Sequence, residues 1–138
     1  ELGSDESSPF HHYRDTGSYV VTLIAKHQNG CVDTSLKKLD ILLNISYFLP
    51  NAFTPNNDGV NDIYVGTGAL AGMQNFSMNI YNRWGEMIYY SEDPGAGWNG
   101  KRHNNGPLEP NGVYVCIVKY QTDHGENRTL KSFATLIR

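Results

Sequence analysis

The sequence predicts an all-β chain: an immunoglobulin-like β-sandwich preceded by the strands of a partial second β-sandwich domain. Three observations carry this expectation. Apolar residues alternate with a period of two instead of recurring at helical spacing. Gly, Pro, Asn and Asp interrupt these runs at short intervals, as turns between strands require. Nine Tyr and 14 Gly among 138 residues suit many short strands joined by tight turns. A hydrophobic fraction of 39% against 18% charge allows a packed core and excludes disorder. The formal net charge of −3 argues against nucleic acid as a partner, since phosphate binding needs clustered Lys and Arg. No apolar run approaches the ~20 residues of a membrane-spanning helix.

Taken in order, the hydrophilic opening Glu1 to Pro9 is expected to be poorly ordered. The first residue is Glu, not Met, and no basic-then-apolar leader follows, so the chain reads as processed or truncated. Ser18 to Lys26 is β-branched and apolar on both faces, Asn29-Gly30 supplies a hairpin turn, and Cys31 to Leu43 returns. Two strands cannot bury a core by themselves. Something is therefore missing from this unit or supplied by neighbours.

Asn44 to Leu49 crosses into a second domain, residues 44–138. Val60 to Val65 is expected as a short strand. Phe76 to Tyr81 alternates, with Phe76, Met78 and Ile80 inward and Ser77 and Asn79 outward. Arg83-Trp84-Gly85 turns the chain into Glu86 to Tyr90. Ser91 to Asn111 is too rich in Gly and Pro for regular structure. Gly112 to Thr122, apolar on both faces, is expected at the centre of a sheet. Gly125 then turns the chain into Arg128 to Ile137. Helical periodicity is weak throughout, with Ala69 to Gln74 at most a single turn.

The stretch Pro50-Asn51-Ala52-Phe53-Thr54-Pro55-Asn56-Asn57-Asp58-Gly59-Val60-Asn61-Asp62 is the most informative in the chain. Asn and Asp side chains bond back to nearby amides, Gly takes positive φ and Pro presets φ, so the loop orders itself. Two uses fit its oxygens. They brace the loop through Asx turns, or Asn56, Asp58, Asn61 and Asp62 hold calcium in a fragmentary ligand loop. A catalytic reading finds no support. His11, His12, His27, His103 and His124 lack metal-ligand spacing, no serine sits in a nucleophile elbow, and Glu86, Glu92 and Asp93 read as solvated charge about an exposed turn. Cys116, in an apolar run, reads as a buried small hydrophobe. Trp84 and Trp98 each close one end of the sandwich, with the indole N–H on a loop carbonyl, or else stack on sugar rings as in a carbohydrate-binding module.

Together with Tyr81-Asn82-Arg83-Trp84-Gly85-Glu86, Gly97-Trp98-Asn99-Gly100, Pro110-Asn111-Gly112-Val113-Tyr114 and Thr135-Leu136-Ile137-Arg138, that loop gives residues 46–138 a family likeness. They resemble the gliding-motility-associated C-terminal domain, the type B sorting domain of the bacterial type IX secretion system. The resemblance implies a folded secretion signal, not an enzyme, read by an outer-membrane β-barrel protein and exported to the cell surface or medium. It implies no cofactor. The expected recognition residues are Pro50, Asn51, Ala52, Phe53, Thr54, Pro55, Asn57, Asp58, Gly59, Asn61, Asp62, Arg83, Trp84, Gly85, Lys131, Leu136, Ile137 and Arg138. Trp98, Asn99, Gly100, Gly112 and Tyr114 are expected to hold the fold. His12 to Leu23 resembles the second half of a PKD-type immunoglobulin-like domain, a common stalk before sorting domains. On that reading Cys31 pairs with a cysteine upstream of Glu1, in the missing part of its own domain. Cys116 is a departure that the family pattern leaves unexplained. The Asn-x-Ser/Thr triplets at Asn44, Asn75 and Asn127 are discounted, because the resemblance points to bacteria.

Overall fold

The computed structural model describes residues 3–138, and every regular element longer than one turn is a β-strand. Glu1 and Leu2 lie outside the described residues; from Gly3 to Pro9 the chain forms neither strand nor helix. The strands are β1 (Gly17–Lys26), β2 (Val32–Ile41), β3 (Ala52–Phe53), β4 (Gln74–Tyr81), β5 (Met87–Ser91), β6 (Gly112–Gln121) and β7 (Asn127–Leu136). They fall into two compact units, one ending at Leu43 and the other comprising Asn44–Arg138.

In the first unit β1 and β2 pair antiparallel from Gly17↔Ile41 to Lys26↔Val32. The hairpin closes with Gly30 N–H donating to His27 O at 2.9 Å and His27 N–H to Cys31 O at 2.8 Å. Turn residues Gln28 and Asn29 thus precede a left-handed Gly30, at φ 85°. The same pattern recurs at Asn82–Glu86 with Gly85 (φ 79°) and at Thr122–Glu126 with Gly125 (φ 80°). All three hairpins use a type I turn followed by a left-handed glycine, which matches the right-handed strand twist. Val20, Val21, Leu23, Ile24, Val32 and Leu36 are exposed on both faces of the ribbon.

The second unit is a β-sandwich around one sheet of order β3-β7-β6-β4-β5, antiparallel throughout except that β3 runs parallel to β7. β6 lies at its centre, as its two-sided apolar pattern requires. Met78, Ile80, Ile88, Cys116, Val118, Ala134 and Leu136 are buried on the inner face. The opposing layer is irregular chain pinned by single bridges, Phe48↔Thr67, Tyr64↔Trp98 and Lys101↔Leu108. It inserts Tyr47, Phe53, Tyr64 and Trp98 into the core. Two expectations need correction. Val60 to Val65 is not a strand: only Tyr64 bridges, because the Asx turns before it hold the backbone off an extended path. The strand in this region is instead Ala52–Phe53, inside the loop, paired with Thr135 and Leu136.

Cys116 is buried in the core and Cys31 is exposed, and both are free thiols. Burial pushes the Cys116 thiol up to about 12, so it stays protonated and packs as a small apolar group. A thiol reagent at pH 8 should therefore label Cys31 rapidly in the native chain and label Cys116 only after denaturant is added. Rapid native labelling of two thiols would contradict this burial.

Candidate functional site

The Pro50–Asp62 loop is organised around one carboxylate. Asp62 Oδ1 accepts the backbone N–H groups of Asn56 (3.0 Å) and Asn57 (2.7 Å), and Oδ2 accepts that of Gly59 (2.8 Å). Asn56 Oδ1 accepts Asp58 N–H at 3.0 Å, and Asp58 Oδ1 accepts Val60 N–H at 2.8 Å. Asn57 and Asn61 adopt left-handed φ of 63° and 54°, a region that Asn tolerates better than most residues. Side-chain oxygens of Asn56, Asp58 and Asp62, three of the four candidate calcium ligands, are turned onto N–H donors, an arrangement that braces the loop. Thr54 N–H donates to Asn61 O at 2.8 Å, closing the loop at its neck.

The braced loop meets the chain terminus. Thr135 N–H donates to Asn51 O at 2.9 Å and Ile137 N–H to Phe53 O at 3.2 Å. Leu136 is 1% exposed, and the Arg138 guanidinium donates to Glu109 O (2.7 Å) and Gly100 O (2.9 Å). Gly100 is the meeting point. A Cβ there would stand 2.9 Å from Arg138 Nη2, 2.9 Å from Pro55 Cγ and 3.1 Å from Leu136 Cδ1, and its φ is +81°. Behind it lies an aromatic cluster, with Phe53–Trp98 centroids at 5.2 Å, Phe53–Tyr64 at 5.7 Å and Trp98–Tyr114 at 4.9 Å. Trp98 Nε1–H donates to Lys101 O at 2.7 Å and Tyr114 O–H to Pro110 O at 2.6 Å. Asn99 N–H bonds Asn104 Oδ1 at 2.9 Å, Lys101 N–H bonds Asn99 Oδ1 at 3.0 Å, and Asn104 Nδ2 bonds Gly97 O at 2.9 Å.

Sequence reasoning missed an ion-pair relay behind this clamp. Arg102 forks onto Glu86, Nη1 to Oε1 at 2.8 Å and Nη2 to Oε2 at 3.0 Å, while its Nε donates to Glu109 Oε1 at 2.9 Å. Glu86 is thus a paired carboxylate and not merely a solvated one, and the Arg102 fork beside it lowers its pKa below the ordinary carboxylate value. Glu109 is the one buried charged residue among the described residues, 6% exposed, and Arg102 is its cation. Spacing gave no hint of this pairing, because Glu86 and Arg102 come from different elements.

Other predicted residues lie apart from the clamp. Trp84 is 85% exposed at the β4–β5 hairpin tip, so it closes nothing; its backbone N–H donates to Asn82 Oδ1 at 2.9 Å. Arg83 and Trp84 line a shallow recess with Glu109, Pro110, Gly112 and Val113. Lys131 is exposed in the middle of β7, and Ile137 is 48% exposed just beyond it.

Residues 47–136 match the type IX secretion signal domain designated CHU_C. The chain belongs to that family. A search among curated proteins finds no match to it. A domain of this family is a sorting signal rather than a catalytic module, and it marks a protein for export out of the cell. Among the described residues no helix is long and apolar enough to cross a membrane. The family match spans the Pro50–Asp62 loop, the Gly97–Gly100 turn and Leu136, three parts of the clamp.

Replacing Gly100 with Ala forces both the left-handed φ and three close contacts, and should cost about 2–4 kcal/mol in urea denaturation. Because the loop oxygens already face N–H donors, calcium added to EDTA-treated protein should give no binding heat and no change in melting temperature. A calcium-dependent rise in melting temperature would restore the ion-binding alternative.

Proposed function

We propose that residues 44–138 act as an address read in the folded state, docking on an outer-membrane β-barrel protein of the type IX system. The observation that carries this reading is the clamp on the terminus. Leu136 is buried and Arg138 is held by two carbonyls from distant loops, so the terminal motif has a defined shape only when the whole domain is folded. The Pro50–Asp62 loop and the last strand form one surface element, in keeping with a signal made of residues distant in sequence. β7 also offers an edge. β3 covers it only at Thr135 and Leu136, and among the described residues no strand pairs with that side of Asn127–Ala134. An unpaired edge can extend a partner's sheet, backbone bonds giving affinity and alternate side chains selectivity.

The passenger on this reading is a surface or secreted protein, and residues 1–43 are the closing strands of a PKD-like stalk domain. The ribbon's exposed apolar residues on both faces support that assignment, since such a pattern belongs inside a sandwich. Cys31, exposed at the start of the returning strand, is then placed to pair within the rest of that domain. A carbohydrate-binding or adhesive module is the second reading, and Trp84 is the observation that favours it. At 85% exposure its indole is free to stack on a sugar ring, whereas Trp98 is buried and drops out of that role.

A reporter fused ahead of the full 138-residue chain should reach the surface of a type IX-competent bacterium. The Arg138→Ala form should be exported several-fold less well, because losing the guanidinium takes the donor from Glu109 O, leaves Gly100 O with Glu109 N–H alone and loosens the terminal motif. Periplasmic retention of the unaltered fusion would reject the sorting reading. Trp84→Ala should leave folding intact, and loss of glycan binding with undiminished export in that variant would favour the module reading.

A further inference from the structure

The inner face of the five-stranded sheet is covered, but the outer face is not. Register places Val113, Val115 and Ile117 of β6 beside Phe133 of β7 and Tyr81 of β4, and Tyr81 pairs in turn with Met87 of β5. Phe133 is 58% exposed, Val113 56% and Met87 42%, so the stripe crosses the sheet in contact with solvent. Isolated exposed apolar side chains are ordinary; a contiguous row across four strands marks an interaction surface.

Charge narrows what can cover it. Lys119 stands opposite Thr129, and Lys131 opposite Ile117, so the two ammonium groups lie diagonally across one strand pair at one end of the stripe. At the other end Arg83 and Trp84 gather about Gly112 and Val113. None of Lys119, Lys131 and Arg83 makes an ion pair among the described residues. The outward positions of β4, β6 and β7 carry no carboxylate; Glu109 in the Arg83–Trp84 recess and Glu86 before β5 are both paired with Arg102, and Glu92 after β5 accepts the Tyr90 hydroxyl at 2.6 Å. A second copy of this chain is a poor occupant. Laid face to face in either direction, it would set bases against bases at both ends of the stripe, and like charges across an interface are repulsive.

We propose that this outer face is a docking surface for an acidic protein partner, one presenting an apolar centre between flanking carboxylates. The assignment rests on the sorting reading, and the partner is then a component met during export. Phe133 and the Val113–Trp84 corner supply apolar anchors, while Lys119, Lys131 and Arg83 set orientation and encounter rate. The unpaired side of β7 borders the same face, so edge pairing and face docking can engage one partner together.

The test uses reporter fusions of the full chain in three forms: unaltered, Lys119→Glu with Lys131→Glu, and Phe133→Thr. All altered side chains are exposed, and Thr keeps β-propensity, so melting temperatures of the purified proteins should agree. Surface display of both variants should fall about tenfold or more relative to the unaltered fusion. Undiminished display of both variants, with the unaltered fusion exported, overturns the docking surface and leaves the sorting reading standing. Loss with Phe133→Thr alone overturns the acidic partner. A dimer of the unaltered chain by light scattering, dissolved by Phe133→Thr, assigns the face to self-association instead. Retention of the unaltered fusion in the periplasm removes the sorting reading and this proposal with it.

Discussion

Where the Arg138 guanidinium crosses Gly100, three distant parts of the chain are forced into one place. The contact needs a residue with no side chain at position 100, because Pro55, Leu136 and Arg138 itself already fill the space a Cβ would take. It also needs the carbonyls of Gly100 and Glu109 turned toward the same cation. Those carbonyls are fixed by the Asn99–Asn104 hydrogen bonds on one side and by the Arg102–Glu109 pair on the other. The irregular layer of the sandwich is therefore held in register by polar contacts, while the sheet beneath it is held by apolar burial. Removing either support would leave charged or hydrogen-bonding groups without partners in a place water reaches poorly, which costs more than the contacts themselves contribute.

This division of labour explains why so much of the second unit lacks regular structure and yet has a defined shape. The segments 44–73 and 92–111 have few ladder bonds. Their order comes from Asx turns, from aromatic side chains driven into the core, and from glycines that permit close approach. Phe53, Tyr64, Trp98 and Tyr114 form the apolar end of the same motifs whose polar residues close the loops. The Pro50–Asp62 and Gly97–Gly100 motifs thus work twice, each giving one aromatic group to the core and several hydrogen-bonding groups to nearby backbone. The ring contacts add roughly 0.5–1.5 kcal/mol each beyond area burial, comparable to a good loop hydrogen bond.

Strand alternation made the sheet legible: Phe76, Met78 and Ile80 inward, β6 central, and three hairpin turns marked by their glycines. The turn chemistry of Asn56–Asp62 was legible too, since Asx bracing acts over two to six residues. What could not be read was anything set by contact between distant segments. The two-residue strand β3 exists only because β7 passes beside it, and alternation has no meaning over two residues. Tyr64 carries the apolar weight of a run that looked like a strand, but a single side chain reaching the core needs no ladder. Trp84 and Trp98 sit in equally glycine-rich turns, and only tertiary packing separates the buried one from the exposed one. Glu86 looked like ordinary surface charge, because nothing local brings a 3-10 turn at Arg102–Asn104 against the β4–β5 turn.

The sequence separation of the clamp has a consequence for when the terminal motif takes shape. Asn51 bonds Thr135, and Gly100 bonds Arg138, so the closing contacts span most of the second unit. Such contacts carry a loop-closure cost that grows with separation and is offset only when intervening structure already shortens the loop. Hairpins β4–β5 and β6–β7 are local and can form first; their pairing through β4–β6 then creates the floor on which Phe53, Tyr64 and Trp98 pack. Only with that floor in place do Pro55, Gly100 and Leu136 lie close enough to receive Arg138. The last residues are thus among the last to acquire a fixed geometry, and a surface built on them is complete only in a fully folded domain. A reader of that surface would discriminate folded from unfolded cargo without any separate device, because the unfolded chain does not present the surface at all.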